Sequence, residues 1–300
     1  MVAQPGPGAS PPLADGDAAK PSTKLNAAKT LAFVVAIQLF AMAITKVNAP
    51  AIAQVVAQNG YPYAPGGTSS SGSVYNAAIL VAFVFVITLA AVWLAKRRHI
   101  KMFMSMIFLG TGLALFLLTL LASIDLTDVF MAPNASFILS LALASLTVVL
   151  LALVSLRRVP AASALVLTGL LSAEAGSYFA SAIPILTAIL LPLAFSLYDI
   201  YAVFKGPLRT LINEVPEESM GTMASRIGDF SIGMGDTVFY SMIPALGYFQ
   251  FGFGPAFAAV VAVDVGVIAT LYLLSRAKLL PGLPIPMGLG VAVLLAFYFR

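Results

Sequence analysis

The chain has no cysteine and a single histidine in 300 residues. The first absence excludes disulfides, thiol nucleophiles and thiolate metal sites. The second excludes a His-Glu-x-x-His metal centre and argues against a serine–histidine pair inside the membrane. His99 lies in Lys96-Arg97-Arg98-His99-Ile100-Lys101, which has the composition of a basic loop at a membrane edge. Charge is also scarce, at 9% against 60% hydrophobic residues, where soluble domains carry about 25%. With a mean hydropathy of +1.00, most of the chain reads as surrounded by lipid. The net charge of +4 sits in short basic clusters between apolar runs. That pattern signals topology, and no nucleic-acid face is expected.

Residues 1–24, rich in Pro, Gly and Ala, are predicted to form a disordered tail; the first apolar run starts too late for a signal peptide. Nine apolar stretches follow, each near the ~20 residues that cross a bilayer. They span roughly 29–47, 75–95, 103–123, 135–156, 161–178, 182–204, 229–250, 254–275 and 281–299. The expected fold class is therefore an all-α membrane protein of nine transmembrane helices. Helices one to six occupy 25–205, a polar cytoplasmic loop fills 206–228 and helices seven to nine occupy 229–300. With the N-terminus cytoplasmic, all of the 16 Lys and Arg except Lys46 and Arg300 fall on the inner side. This alternation predicts an inner N-terminus and an outer C-terminus, and a count of eight or ten helices would break it. Residues 60–73 read as a flexible outer loop. The glycine pairs at 110/112 and 288/290 lack a strand and a third glycine, so they suit close helix packing better than phosphate binding.

Carboxylates inside hydrocarbon cost at least ~2.5–3.5 kcal/mol on insertion scales and need a reason to be there. Glu174, Asp199, Asp236 and Asp264 are the candidates; Asp125, Asp128 and Asp229 fall at helix ends or in loops. Asp199 precedes Lys205 by six residues and Asp236 follows Asp229 by seven. On helices, both would lie ~9–10 Å below the cytoplasmic edge. Asp264 would lie ~18 Å deep, and Glu174 toward the outer end of helix five. Consecutive antiparallel helices tend to be neighbours, so Asp199 and Asp236 are expected to form a pair. Two adjacent carboxyls cannot both ionise readily, and a shared proton lets one act as base toward water while the other acts as acid toward a carbonyl. Charge and depth alone leave three readings open: proteolysis, cation transport and structural polar glue.

The local sequences carry more. Helix six reads Ser196-Leu197-Tyr198-Asp199-Ile200-Tyr201, and helix seven reads Gly233-Met234-Gly235-Asp236-Thr237. A Tyr-Asp helix followed by a Gly-x-Gly-Asp helix resembles the presenilin and signal peptide peptidase family of intramembrane aspartyl proteases. The resemblance implies nine helices and hydrolysis of peptide bonds within transmembrane helices of membrane-protein substrates. It implies Asp199 and Asp236 as the catalytic dyad, with no metal or cofactor. Gly233, Met234 and Gly235 would shape the site by letting a substrate backbone approach, and Tyr198 would either hydrogen-bond there or pack.

The family's third motif is Pro-Ala-Leu near the start of helix nine. Pro244-Ala245-Leu246 occurs here, but at the outer end of helix seven; the positional counterpart is Pro281-Gly282-Leu283, followed by Pro284-Ile285-Pro286. Three prolines in six residues are expected to prevent a regular helical turn and leave backbone groups for an unwound substrate. The predicted orientation matches presenilins, not signal peptide peptidases, and implies substrates with an outward N-terminus. Presenilins act in a larger complex, which extends the expected partners to accessory subunits or a homo-oligomer. They are also cut between helices six and seven, where this chain has only a short loop. Compact loops without cysteine suggest a homologue from a microbial cell membrane. The rival readings are a cation leak or transporter built on the same acids, an activity also proposed for presenilins, and a prepilin-peptidase-like enzyme. The latter shares Gly-x-Gly-Asp on a different helix plan, against which the preceding Tyr-Asp helix argues.

Overall fold

The structure is a computed structural model that describes residues 2–3, 21–97, 99–128, 130–156, 160–206, 224–227, 230–276 and 280–300. These residues hold nine helices: α1 (Pro21–Asn59), α2 (Ser70–Lys96), α3 (Ile100–Thr127), α4 (Pro133–Ser155), α5 (Ala161–Ala182), α6 (Ile185–Phe204), α7 (Met234–Phe251), α8 (Phe253–Leu274) and α9 (Pro284–Tyr298). Among the described residues five helices, α1, α2, α4, α6 and α8, are long and apolar enough to cross a membrane. Shorter apolar segments run through α3 and α9. Most of the predicted 206–228 loop and tail residues 4–20 lie outside the described residues, as do Arg98, Arg157, Arg158, Arg209 and Lys278.

Several boundaries differ from the sequence-based expectation. Helix α1 is 39 residues long, with Pro50 inside it, against a predicted 29–47. The prediction counted only the apolar run, whereas the Ala-, Val- and Gln-rich residues after Asn48 are helix-compatible and carry the helix on. The fold is also not purely helical. Strands β1 (Val2–Ala3), β2 (Ala224–Ile227) and β3 (Phe230–Gly233) form an antiparallel sheet in the order β1-β3-β2. Residues 2–3 of the predicted tail thus pair with Phe230 and Ser231 of β3, and residues 21–24 belong to α1. Helix seven was expected from residue 229, but β3 occupies 230–233 and α7 starts at Met234. In β3 the side chains of Phe230 and Ile232 are buried and those between them are not, the period of two that a half-buried strand requires.

The core centres on α7, which packs on α5, α1 and α8, while α9 packs on α8 and α6. Its buried side chains include Tyr240, Met242, Ile243, Ala245 and Leu246, so Pro244-Ala245-Leu246 is interior packing. Outward faces remain apolar: Phe83, Leu109, Leu197 and Phe257 are all exposed, as a lipid-facing surface demands. Without a hydrophobic drive between helices in lipid, close approach must come from small residues. Gly176 of α5 is one, since a Cβ there would lie 2.8 Å from the Val238 carbonyl oxygen of α7. Gly176→Ala is therefore expected to push α5 off α7, cost the ~1–3 kcal/mol of stability typical of overpacking and so lower the thermal unfolding midpoint; an unchanged midpoint would contradict the contact.

Candidate active site

Asp199 and Asp236 do not meet because α6 and α7 pack side by side. Helix α6 packs mainly against α2 and α9 and touches α7 only lightly. One clasp to α2 is Tyr198, whose hydroxyl donates to Thr88 Oγ1 at 2.7 Å. Its ring lies edge-on to Phe85, 6.2 Å away, and to Phe195, 6.5 Å away. Tyr198 thus both hydrogen-bonds and packs, in each case on the side of α2. The two helices are linked instead by the turn that enters α9, through Leu283 to Asp199 and Gly282 to Tyr240.

That turn holds both acids. The Leu283 N–H donates to Asp199 Oδ2 at 3.1 Å, with the Gly282 N–H directed at the same carboxylate. On the other side, a Cβ on residue 282 would lie 2.5 Å from Asp236 Oδ2 and 3.0 Å from its Cγ. Glycine at 282 therefore gives Asp236 the space it occupies. The two carboxylates interact electrostatically across this turn. Pro284 takes the first helical position of α9, where a missing N–H costs nothing. The expectation that all three prolines disrupt the backbone is thus corrected: Pro284 and Pro286 start a regular helix, and among the described residues of this turn the irregular ones are 280–283.

Asp236 occupies the third position of α7, with Gly233 as the N-cap. Its carboxylate takes the Gly233 N–H, the back-reaching half of a capping box. The acid is thus fixed by a helix start, not carried in mid-helix as the depth estimate assumed. Thr237, the next residue, lies 2.8 Å from the Ser172 hydroxyl of α5, and Ser241 Oγ donates to the Ser172 carbonyl at 3.1 Å. Gly235 is exposed, and a Cβ there would meet nothing within 4 Å; its face is open. Met234 turns away from the acids and packs against the Leu115, Leu151 and Leu171 cluster.

Sequence reasoning missed Tyr240. It is fully buried, one turn beyond Asp236 on the same helix face, and its hydroxyl donates to the Gly282 carbonyl at 2.8 Å. The i+4 spacing from Asp236 was the available signal. Tyr240 positions the turn, so Tyr240→Phe should leave a buried carbonyl unpaired. A bond worth ~0.5–1.5 kcal/mol corresponds to a roughly two- to twelvefold fall in kcat. KM should change little, because the turn's placement and not the substrate contact is lost; a change confined to KM would contradict this role. The other two intramembrane acids lie elsewhere: Glu174 accepts from Thr119 Oγ1 at 3.0 Å and Asp264 from Gln38 Nε2 at 3.2 Å.

No protein-family model and no curated protein sequence matches this chain. Solved structures do. A presenilin family intramembrane aspartate protease in a C222 crystal form superposes with a TM-score of 0.58 at 20% identity, covering 91% of this chain and 99% of that one. A P2 crystal form gives 0.57 at 22% identity, covering 89% and 97%. The chain therefore shares the fold of these structures over nearly its whole length.

Proposed function

We propose that this chain is a presenilin-type intramembrane aspartyl protease that hydrolyses peptide bonds within transmembrane helices through Asp199 and Asp236. The observation that carries the reading is the single turn, Pro281-Gly282-Leu283, that meets one carboxylate with an N–H and makes room for the other. Structural glue would need only a hydrogen-bond partner for each acid; here two acids from different helices converge on one turn.

In the proposed reaction the ionised carboxylate of the pair removes a proton from water, and the water oxygen attacks the scissile carbonyl carbon. The protonated partner gives its proton to the carbonyl oxygen, forming a neutral tetrahedral diol. Collapse of the diol returns a proton to one carboxylate while the other protonates the departing amine, so the dyad ends as it began. A helical substrate must unwind first, because its carbonyls are engaged in the helix. The open face at Gly235 and the irregular backbone at 280–283 are where an extended segment would lie, its main chain satisfied by turn and strand groups.

We further place the N-terminus inside, the C-terminus outside and all nine helices across a microbial cell membrane, on the basic-residue pattern. Substrates would then be single-span proteins with outward N-termini, cut with or without an accessory subunit or second copy. The test is direct. Purified protein in detergent should cut a single-span substrate within its membrane segment. Reconstituted protein that conducts cations but cuts no substrate would overturn the reading in favour of transport.

A further inference from the structure

Outside the site just described, α1 and α4 stand apart, and a cavity of ≈ 430 Å³ opens between them, lined also by α3 and α5. Its rim is apolar and exposed, with Phe40 and Val47 of α1 facing Leu143 and Leu146 of α4. Its wall is polar. Glu174 reaches it from α5, and Asn48, Thr119 and Ser123, all nearly fully buried, line it as well. The Asn48 side-chain oxygen is buried without a hydrogen-bond partner. The Ser123 hydroxyl donates to the Thr119 carbonyl, which leaves its oxygen able to accept, whereas the Thr147 hydroxyl donates to the Ala144 carbonyl and already has Thr119 Oγ1 at 3.4 Å. Glu174 has one donor, Thr119. Nothing in the proposed hydrolysis uses these groups, and a buried acceptor with no donor is costly.

We propose that this cleft binds a neutral single-chain amphiphile whose terminal hydroxyl donates its one proton to the Asn48 side-chain oxygen, in the polar wall that Glu174 completes, while its chain lies between α1 and α4. The chemistry selects the class. A mostly apolar cavity with a few convergent polar groups is the usual form of a small-molecule site, and ≈ 430 Å³ is near the small end of the ~300–1,000 Å³ range, room for one chain and not two. Acceptors in the wall call for a donor on the ligand. Carboxylate or phosphate head groups would face Glu174 with like charge, and phospholipid ammonium groups carry a phosphate beside them. The exposed apolar rim allows entry sideways from the bilayer. The inference stands apart from the proteolytic reading, since it uses neither Asp199 nor Asp236.

The full chain, reconstituted in vesicles, would be photolabelled with a long-chain primary alcohol bearing a mid-chain diazirine, and the adducts mapped by peptide mass spectrometry. Label is expected on α1, α3, α4 and α5 around the cleft. Unlabelled alcohol should displace it at least tenfold better than its methyl ether or the ammonium- and carboxylate-ended analogues of equal length. Asn48→Leu and Glu174→Leu should each reduce labelling of the cleft at least fivefold. Equal competition by the methyl ether would show apolar partition only and overturn the proposal. So would stronger competition by the ammonium analogue, labelling confined to other helices, or a second copy or other protein found crosslinked across the cleft in place of the probe. Competition is read on the wild-type protein, so its outcome holds even if a variant misfolds.

Discussion

Asp199→Asn and Asp236→Asn are each expected to reduce cleavage of a single-span substrate by at least about 10³-fold, within the range for loss of a general acid or base. Asparagine is close in shape to aspartate and keeps an oxygen that can accept the Leu283 N–H now bound to Asp199 at 3.1 Å. At position 236 it likewise keeps an acceptor for the Gly233 N–H. Folding should therefore survive, and thermal unfolding of the variants checks that it does. What asparagine cannot do is give or take the proton. In the proposed mechanism the two acids act as one unit, so the double variant should be no slower than either single one. Cleavage persisting in both single variants would remove the dyad assignment. Independent, multiplying losses would show that the acids serve separate steps.

The second large effect is expected at Gly282. Its backbone is not in the left-handed region, since the positive-φ glycines are Gly60, Gly67 and Gly252. A side chain at 282 is therefore opposed by its neighbours and not by its own φ. A Cβ there would stand 2.5 Å from Asp236 Oδ2 and 3.4 Å from the Tyr240 hydroxyl. Alanine can be met by rotation of the Asp236 carboxylate alone, so Gly282→Ala should cost about tenfold in kcat. Valine adds two methyls that rotation cannot clear. A displacement on the order of 1 Å in a catalytic group costs about 10²-fold, and Gly282→Val should lose at least that while the thermal midpoint stays near wild type. The related motif carries alanine at the matching position, which makes the smaller variant informative: a fully active Gly282→Ala would mean that the space beside Asp236 is not set by residue 282.

Much of this fold is legible in the sequence. The nine described helices fall where nine apolar runs stand, because helix formation in lipid follows from the need to pair every backbone group within the segment. Local differences arise where another rule prevails. The apolar count undersizes α1, whose ends continue in helix-forming polar sequence, and it reads Phe230–Gly233 as helix although two partner strands claim it. Tyr240 escapes notice because a tyrosine in an apolar helix looks like packing until a carbonyl is placed beside its hydroxyl.

Composition and order alone determined that the chain belongs in a membrane, that cysteine and metal-histidine chemistry are absent from its repertoire, and that two acids stand on consecutive helices with a proline-bounded turn later in the chain. Those are one-dimensional facts, fixed by hydropathy and by which functional groups exist. Only the tertiary structure decided how the acids are joined. Sequence order suggested direct packing of α6 on α7, yet the two helices barely touch, and the turn before α9 supplies the N–H for Asp199 and the space for Asp236. That choice depends on close approach between segments far apart along the chain, governed by the missing side chain at 282, and no spacing rule encodes it.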